Sequence, residues 1–241
     1  MADYQPSVAQ GGVRADIDEG LRAYMNKVYM LMATAMVLTG GVAFYVGNNA
    51  ALLETFFTGP IRWVVMFAPL IFVFAFAAMI NRMSASTATM VFYAFGAVMG
   101  LSIAWIFAVF TDMSIAQTFF ATAVAFLGLS LYGYTTKKDL SGWGSFLIMG
   151  VIGLIVVSIA NIFIGSGLLQ TAIAAIGVLL FAALTAYDTQ SIKNEYLEAA
   201  QAGPAGEAYL EKGAIMGALR LYLDFVNMFM FLLQFMGAAD E

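Results

Sequence analysis

The chain of 241 residues contains no cysteine and no histidine, only 4 prolines, and charged side chains at just 10% of its positions. Each absence removes a class of chemistry. Without cysteine there is no disulfide framework, no thiolate metal site and no cysteine nucleophile. Without histidine, any response to pH near neutrality has to come from perturbed carboxylates, because the side chain that ordinarily titrates there is missing. The HExxH, P-loop and GxSxG signatures are absent too, so the chain reads as neither an enzyme nor a cofactor carrier. Soluble domains carry about 25% charged residues. A charged fraction of 10% with 62% hydrophobic residues describes a polytopic membrane protein instead. The net charge of −5 argues against nucleic acid as a partner.

What is present points to helices. The 23 glycines suit close-packed membrane helices, and no strand-like alternation with regular turns is visible. Seven apolar stretches each reach the roughly 20 residues that a bilayer core demands. They fall at about 28–46, 63–80, 88–110, 115–134, 144–164, 168–187 and 213–237. The expected fold is therefore an all-α bundle of seven transmembrane helices. Residues 1–27 divide into a disordered tail to Arg14 and a solvated, interfacial lead-in. Residues 28–237 form the membrane domain, and 238–241 a short C-terminal tail. No cleavable signal peptide is expected, since the N-terminus stays polar through Lys27. Gly96 and Gly100, in a GxxxG spacing, read as a helix-packing face. Asn161 and Ser158 read as packing polars satisfied by backbone. The short turns are expected to pair spans three with four and five with six as antiparallel hairpins.

Orientation follows from the basic residues of the short loops. If the N-terminus is inside, the inner segments hold Arg14, Arg22, Lys27, Arg82, Lys137, Lys138, Lys193 and Lys212, and the outer ones only Arg62. This places the N-terminus in the cytoplasm and the C-terminus outside. Six spans with a re-entrant seventh stretch is the alternative.

The last apolar stretch carries Arg220 and Asp224 one helical turn apart. An ionised group in a bilayer costs at least about 2.5–3.5 kcal/mol and so turns towards protein or water. Asp188 ends the apolar part of the sixth span and Arg82 ends the second, both on the inner side. Asp188 and Asp224 therefore reach a similar depth on neighbouring helices, within reach of Arg82. Two poorly hydrated carboxylates cannot both ionise cheaply, so they are expected to share a proton and titrate as one unit. Carboxylate oxygens at a helix junction also suit a transient contact with a hard cation such as Ca²⁺. A bland reading stands beside this one: Asp224 pairs with Arg220 structurally, and Asp188 is an ordinary wet helix-end residue. A protease with two catalytic carboxylates fits poorly, because a neighbouring Arg would spoil the shared proton.

Three segments resemble one known family. Tyr187–Lys193 (YDTQSIK), Leu221–Asn227 (LYLDFVN) and Lys137–Ser141 (KKDLS) are similar to motifs of the Bax inhibitor-1 family in its bacterial branch, and the resemblance extends over roughly Met25 to Gly237. It implies a seven-helix fold with the last helix central between two three-helix layers. It also implies a pH-sensitive passive calcium leak in the inner membrane, with Asp188 and Asp224 as proton sensor and Arg82 as a latch to Asp188. The family's late seventh-helix position falls on Gln234, and the second span holds no acidic residue. Some bacterial relatives are linked to membrane-protease quality control. A non-conducting protein that binds a membrane partner is therefore the alternative function, and a proton-coupled transporter a third.

Overall fold

The structure is a computed structural model and describes residues 7–237, with side chains described for all of these except 7–16, 204, 205, 207 and 208. Eight α-helices make up nearly all of it: α1 (Ser7–Gly47), α2 (Ala50–Phe57), α3 (Ile61–Met79), α4 (Ala85–Ile103), α5 (Asp112–Thr135), α6 (Gly144–Ile164), α7 (Gly167–Gln201) and α8 (Pro204–Met236). All but α2 are long and apolar enough to cross a membrane. Among the described residues there is no strand. The protein is a seven-span helical bundle.

Local chemistry sets the breaks. Ser84, Thr111 and Ser166 precede α4, α5 and α7, and each side chain accepts the amide of the residue three places on, satisfying an otherwise orphaned donor. Gly165 closes α6 in the left-handed region at φ 67°. Gly203, at φ 64°, turns the chain between α7 and α8, where Pro204 begins the new helix without wasting a donor. α8 is uninterrupted from there, so the re-entrant alternative is not what the chain adopts.

The last helix sits at the centre. In its membrane stretch 61% of the residues are buried, against 17–39% in the other six spans. It packs on α7, α1, α5 and α4. Around it α1, α3 and α4 form one layer, and α5, α6 and α7 the other. Small residues let helices within a layer close. A Cβ on Gly100 would stand 2.5 Å from the Thr39 carbonyl oxygen, and one on Gly96 3.0 Å from that of Ala35, so the GxxxG face of α4 seats backbone against α1. Thr39 ties three helices there, donating towards Ala35 and Gly96 carbonyls and meeting the Tyr222 hydroxyl at 2.6 Å.

Two expectations change. The segment before residue 28 is more than a solvated lead-in, and Ser7–Arg14 is not a disordered tail: α1 begins at Ser7, and Leu21, Tyr24 and Met25 are buried in the core. Their apolar spacing gives the helix a packed face beyond the membrane stretch, from which helix propagates towards its start. Spans three and four do not form a packed hairpin either. The turn Ala104–Ala108 carries the chain from one layer to the other, and α5 packs on α7. Residues 1–6 and the C-terminal tail lie outside the described residues.

Candidate functional site

α7 is 35 residues long, about 50 Å, so its second half runs beyond a bilayer core of about 30 Å. Asp188, Ser191 and Glu195 lie on one stripe of that half, at i, i+3 and i+7. α8 runs antiparallel against it and passes close, because Gly217 leaves room for Ile192, which a Cβ would meet at 3.2 Å. This close crossing aligns Arg220 and Asp224 of α8 with the acidic stripe of α7.

Asp224 is 4% exposed, and its Oδ2 is fully buried without a hydrogen-bond partner among the described residues. The Asp188 side chain is 13% exposed. The two carboxyls face each other within hydrogen-bonding reach. A hydrogen bond between two carboxyl groups requires one of them to carry the proton.

Arg220 does not pair with Asp224. Its guanidinium makes a two-pronged contact with Glu195, Nη2 donating to Oε1 and Oε2 at 2.8 Å each. It also lies 4.0 Å from Asp188 Oδ1 and 3.4 Å from Ser191 Oγ. Ser191 donates to Glu195 Oε1 at 3.1 Å, and the Tyr209 hydroxyl to Oε2 at 3.3 Å. Helical side chains lean towards their own N-terminus, and the N-terminal end of α8 is the end where Glu195 lies. The long Arg side chain therefore carries its charge outwards from Asp224.

Arg82 lies elsewhere. It closes the turn Ile80–Arg82 with its side chain exposed, while Ile80, 5% exposed, takes the inward position. Among the described residues Arg82 makes no ion pair. The guanidinium beside Asp188 belongs to Arg220. Nor do the described residues offer a group of three or more acidic side chains able to hold a metal, so Asp188 and Asp224 present two carboxyls to a passing cation and no cage.

The motif around Asp188 also braces the site. Gln190 donates to the Lys138 carbonyl at 2.8 Å and accepts the Leu140 amide at 2.7 Å, fixing the KKDLS loop. Lys193 donates to the last-turn carbonyl of Tyr134 at 2.8 Å. Thr189 meets Ser130 at 3.0 Å, and Ser130 meets Tyr29 of α1 at 2.5 Å. Within the loop Asp139 accepts the Ser141 amide at 2.8 Å, and the Ser141 hydroxyl and amide hold its carboxyl below the usual aspartate range. At the far end of the bundle Gln170 donates to Gln234 at 2.9 Å and accepts from Asn161 at 3.0 Å. Asn161 is satisfied by backbone on one side, its Oδ1 accepting the Ser166 amide at 3.2 Å, and by the Gln170 side chain on the other, while Ser158 bonds the Leu154 carbonyl as expected.

Comparison with known proteins matches the family model described as inhibitor of apoptosis-promoting Bax1 over residues 21–241. The chain belongs to the Bax inhibitor-1 family. Inner membrane protein YbhL of Escherichia coli K12 is 44% identical over 90% of this chain and 92% of its own. Protein RP147 of Rickettsia prowazekii is 38% identical over 98% of both chains. A Caulobacter vibrioides protein is 39% identical over 99% of this chain and 97% of its own. Seven apolar helices and such relatives make this Bax inhibitor-1 family member a multi-pass inner membrane protein. The residue that inspection of the sequence missed is Glu195. Its register with Asp188 and Ser191 was the available signal, but it is masked by the other charges of the same helix, such as Glu198.

Proposed function

We propose that the protein is a passive Ca²⁺ leak of the inner membrane whose opening depends on pH, with Asp188 and Asp224 as the proton-binding pair. One observation supports this above the rest: the buried carboxyl of Asp224, with one oxygen unpartnered among the described residues, neighbours the carboxyl of Asp188. Aromatic packing on the far side of Asp224 fits a closed state. Phe225 stands 5.5 Å from both Phe119 and Phe126, and Phe181 stacks on Phe231 at 5.8 Å.

In this reading an ionised Asp188 holds the Arg220 guanidinium between itself and Glu195 and keeps α7 and α8 clamped. Proton uptake by the pair removes that attraction, leaves Arg220 to Glu195 and loosens the crossing, so flux rises as pH falls. Arg82 would act as a latch only if the end of α3 moved inwards. The basic end of the bundle faces the cytoplasm, with the N-terminus inside and the C-terminus outside. Asp139 takes no part near neutrality. Its pairing with Ser141 is complete above the ordinary aspartate value of about 3.9 and is lost as pH falls through its lowered folded value, far below the working range.

The test is Ca²⁺ flux into liposomes holding the purified protein, followed from mildly acidic to mildly alkaline pH. Asp188→Asn and Asp224→Asn flatten the pH dependence, and Arg82→Ala leaves it intact. Unchanged pH dependence in both Asn variants, or no flux from the parent protein, overturns the reading.

A further inference from the structure

α1 and α5 belong to different layers and are bridged by the Tyr29–Ser130 hydrogen bond. On either side of that bridge the seam between them opens into a cavity of 390 Å³. One cavity lies at the basic end, between Arg22 and Asn26 of α1 and Leu127, Leu131 and Tyr134 of α5. The other lies at the far end, walled by Phe44 and Phe120 and floored by Phe225 and Phe229 of α8. From Arg22 to Phe44 the helix rises about 33 Å, close to the thickness of a bilayer core of about 30 Å. The seam therefore runs the depth of the membrane and places Arg22 at headgroup level.

The two ends differ in charge. Arg22 is exposed and makes no ion pair or hydrogen bond among the described residues. Asp18 and Glu19, also exposed, lie about one turn farther from the membrane and outside ion-pair distance. Behind Tyr134, one of the lining residues, the Lys193 ammonium sits on the Tyr134 carbonyl at 2.8 Å and over its ring at 5.4 Å. Arg22 thus stands at a mouth that continues into an apolar trough, where Leu127 and Leu131 are 66% and 63% exposed.

We propose that the basic end of this seam is a binding site for one anionic phospholipid. Its phosphate is held by Arg22, with the Asn26 amide as a further donor, and one acyl chain lies along Leu127 and Leu131. The charge asymmetry selects the occupant: a cation at headgroup depth is worth about 1 kcal/mol to an anionic lipid, and a zwitterionic headgroup gains less. The site adjoins the carboxyl pair through Tyr29, Ser130 and Thr189, the residue after Asp188.

The test is native mass spectrometry of the purified full chain, released from detergent with phosphatidylglycerol or phosphatidylcholine of the same acyl chains. One phosphatidylglycerol stays bound per chain, and phosphatidylcholine is retained about fivefold less, the scale of one interfacial charge. Arg22→Ala lowers phosphatidylglycerol to the phosphatidylcholine level, Leu127→Trp fills the trough and lowers both, and Lys137→Ala, a cation of the same end outside the cavity, changes neither. All three positions are exposed, so the fold tolerates the changes. Equal retention of the two lipids, indifference to Arg22→Ala or to Leu127→Trp, or a dimer of this chain that Leu127→Trp disrupts would each overturn the site.

Discussion

Asp224 and Arg220 stand four residues apart on α8 and yet have different partners: the carboxyl turns inwards to Asp188, and the guanidinium outwards to Glu195. In the proposed mechanism Glu195 sets how strongly Arg220 acts on Asp188. Glu195→Gln weakens that hold, letting Arg220 close on Asp188 and keep its charge against protonation. The pH of half-maximal flux is expected to move down in the liposome assay, while the flux at full opening stays the same. A midpoint that does not move would mean that Arg220 has no influence on the pair. Asp188 and Asp224 were legible in the sequence because a charge inside an apolar run is conspicuous. Glu195 was not, because it lies among other charges beyond the membrane, where only its register sets it apart. Arg82 illustrates the opposite problem. Its depth was legible, but a side chain at a helix end can point inwards or outwards, and here Ile80 takes the inward position.

The helices themselves could be read from the sequence with little loss, because length and apolarity are summed over some 20 residues and tolerate local error. The GxxxG face of α4 is where expectation and packing agree most closely. A Cβ on Gly100 has nowhere to go, since backbone of α1 lies 2.5 Å away. Gly100→Val should therefore force α1 and α4 apart, at about 1–3 kcal/mol, and lower the melting temperature by roughly 2–4 °C for each kcal/mol in a chain of this size. Differential scanning fluorimetry in detergent would show it; an unchanged melting temperature would mean that the interface is slack. The short α2 was not anticipated. Its eight residues, AALLETFF, start at an Asn49 cap but bury no side chain, so the apolar pattern of that loop carries no information about packing. The α4–α5 connection was misread for a related reason: turn length sets how far a chain can reach, but the choice of neighbour was made by the small-residue faces on each side.

For the molecule as a whole, the proposed topology, N-terminus inside and C-terminus outside, rests on the basic residues of the loops. The absence of cysteine makes this simple to check. Thr58→Cys and Lys138→Cys, both exposed and at opposite ends of the bundle, should differ in intact spheroplasts. A membrane-impermeant maleimide labels the first and spares the second; the reverse pattern would invert the topology. The central position of α8 connects this architecture to function, since it buries a carboxyl pair where only a proton or a cation can neutralise it. The most direct measurement of that pair is the infrared absorption of protonated carboxyl groups in the reconstituted protein, followed from mildly acidic to alkaline pH. The account predicts a carboxylic acid band that fades as pH rises in the parent protein and is missing from the double variant Asp188→Asn/Asp224→Asn. A parent protein without the band at the lower pH, or a band that survives in the double variant, would contradict it.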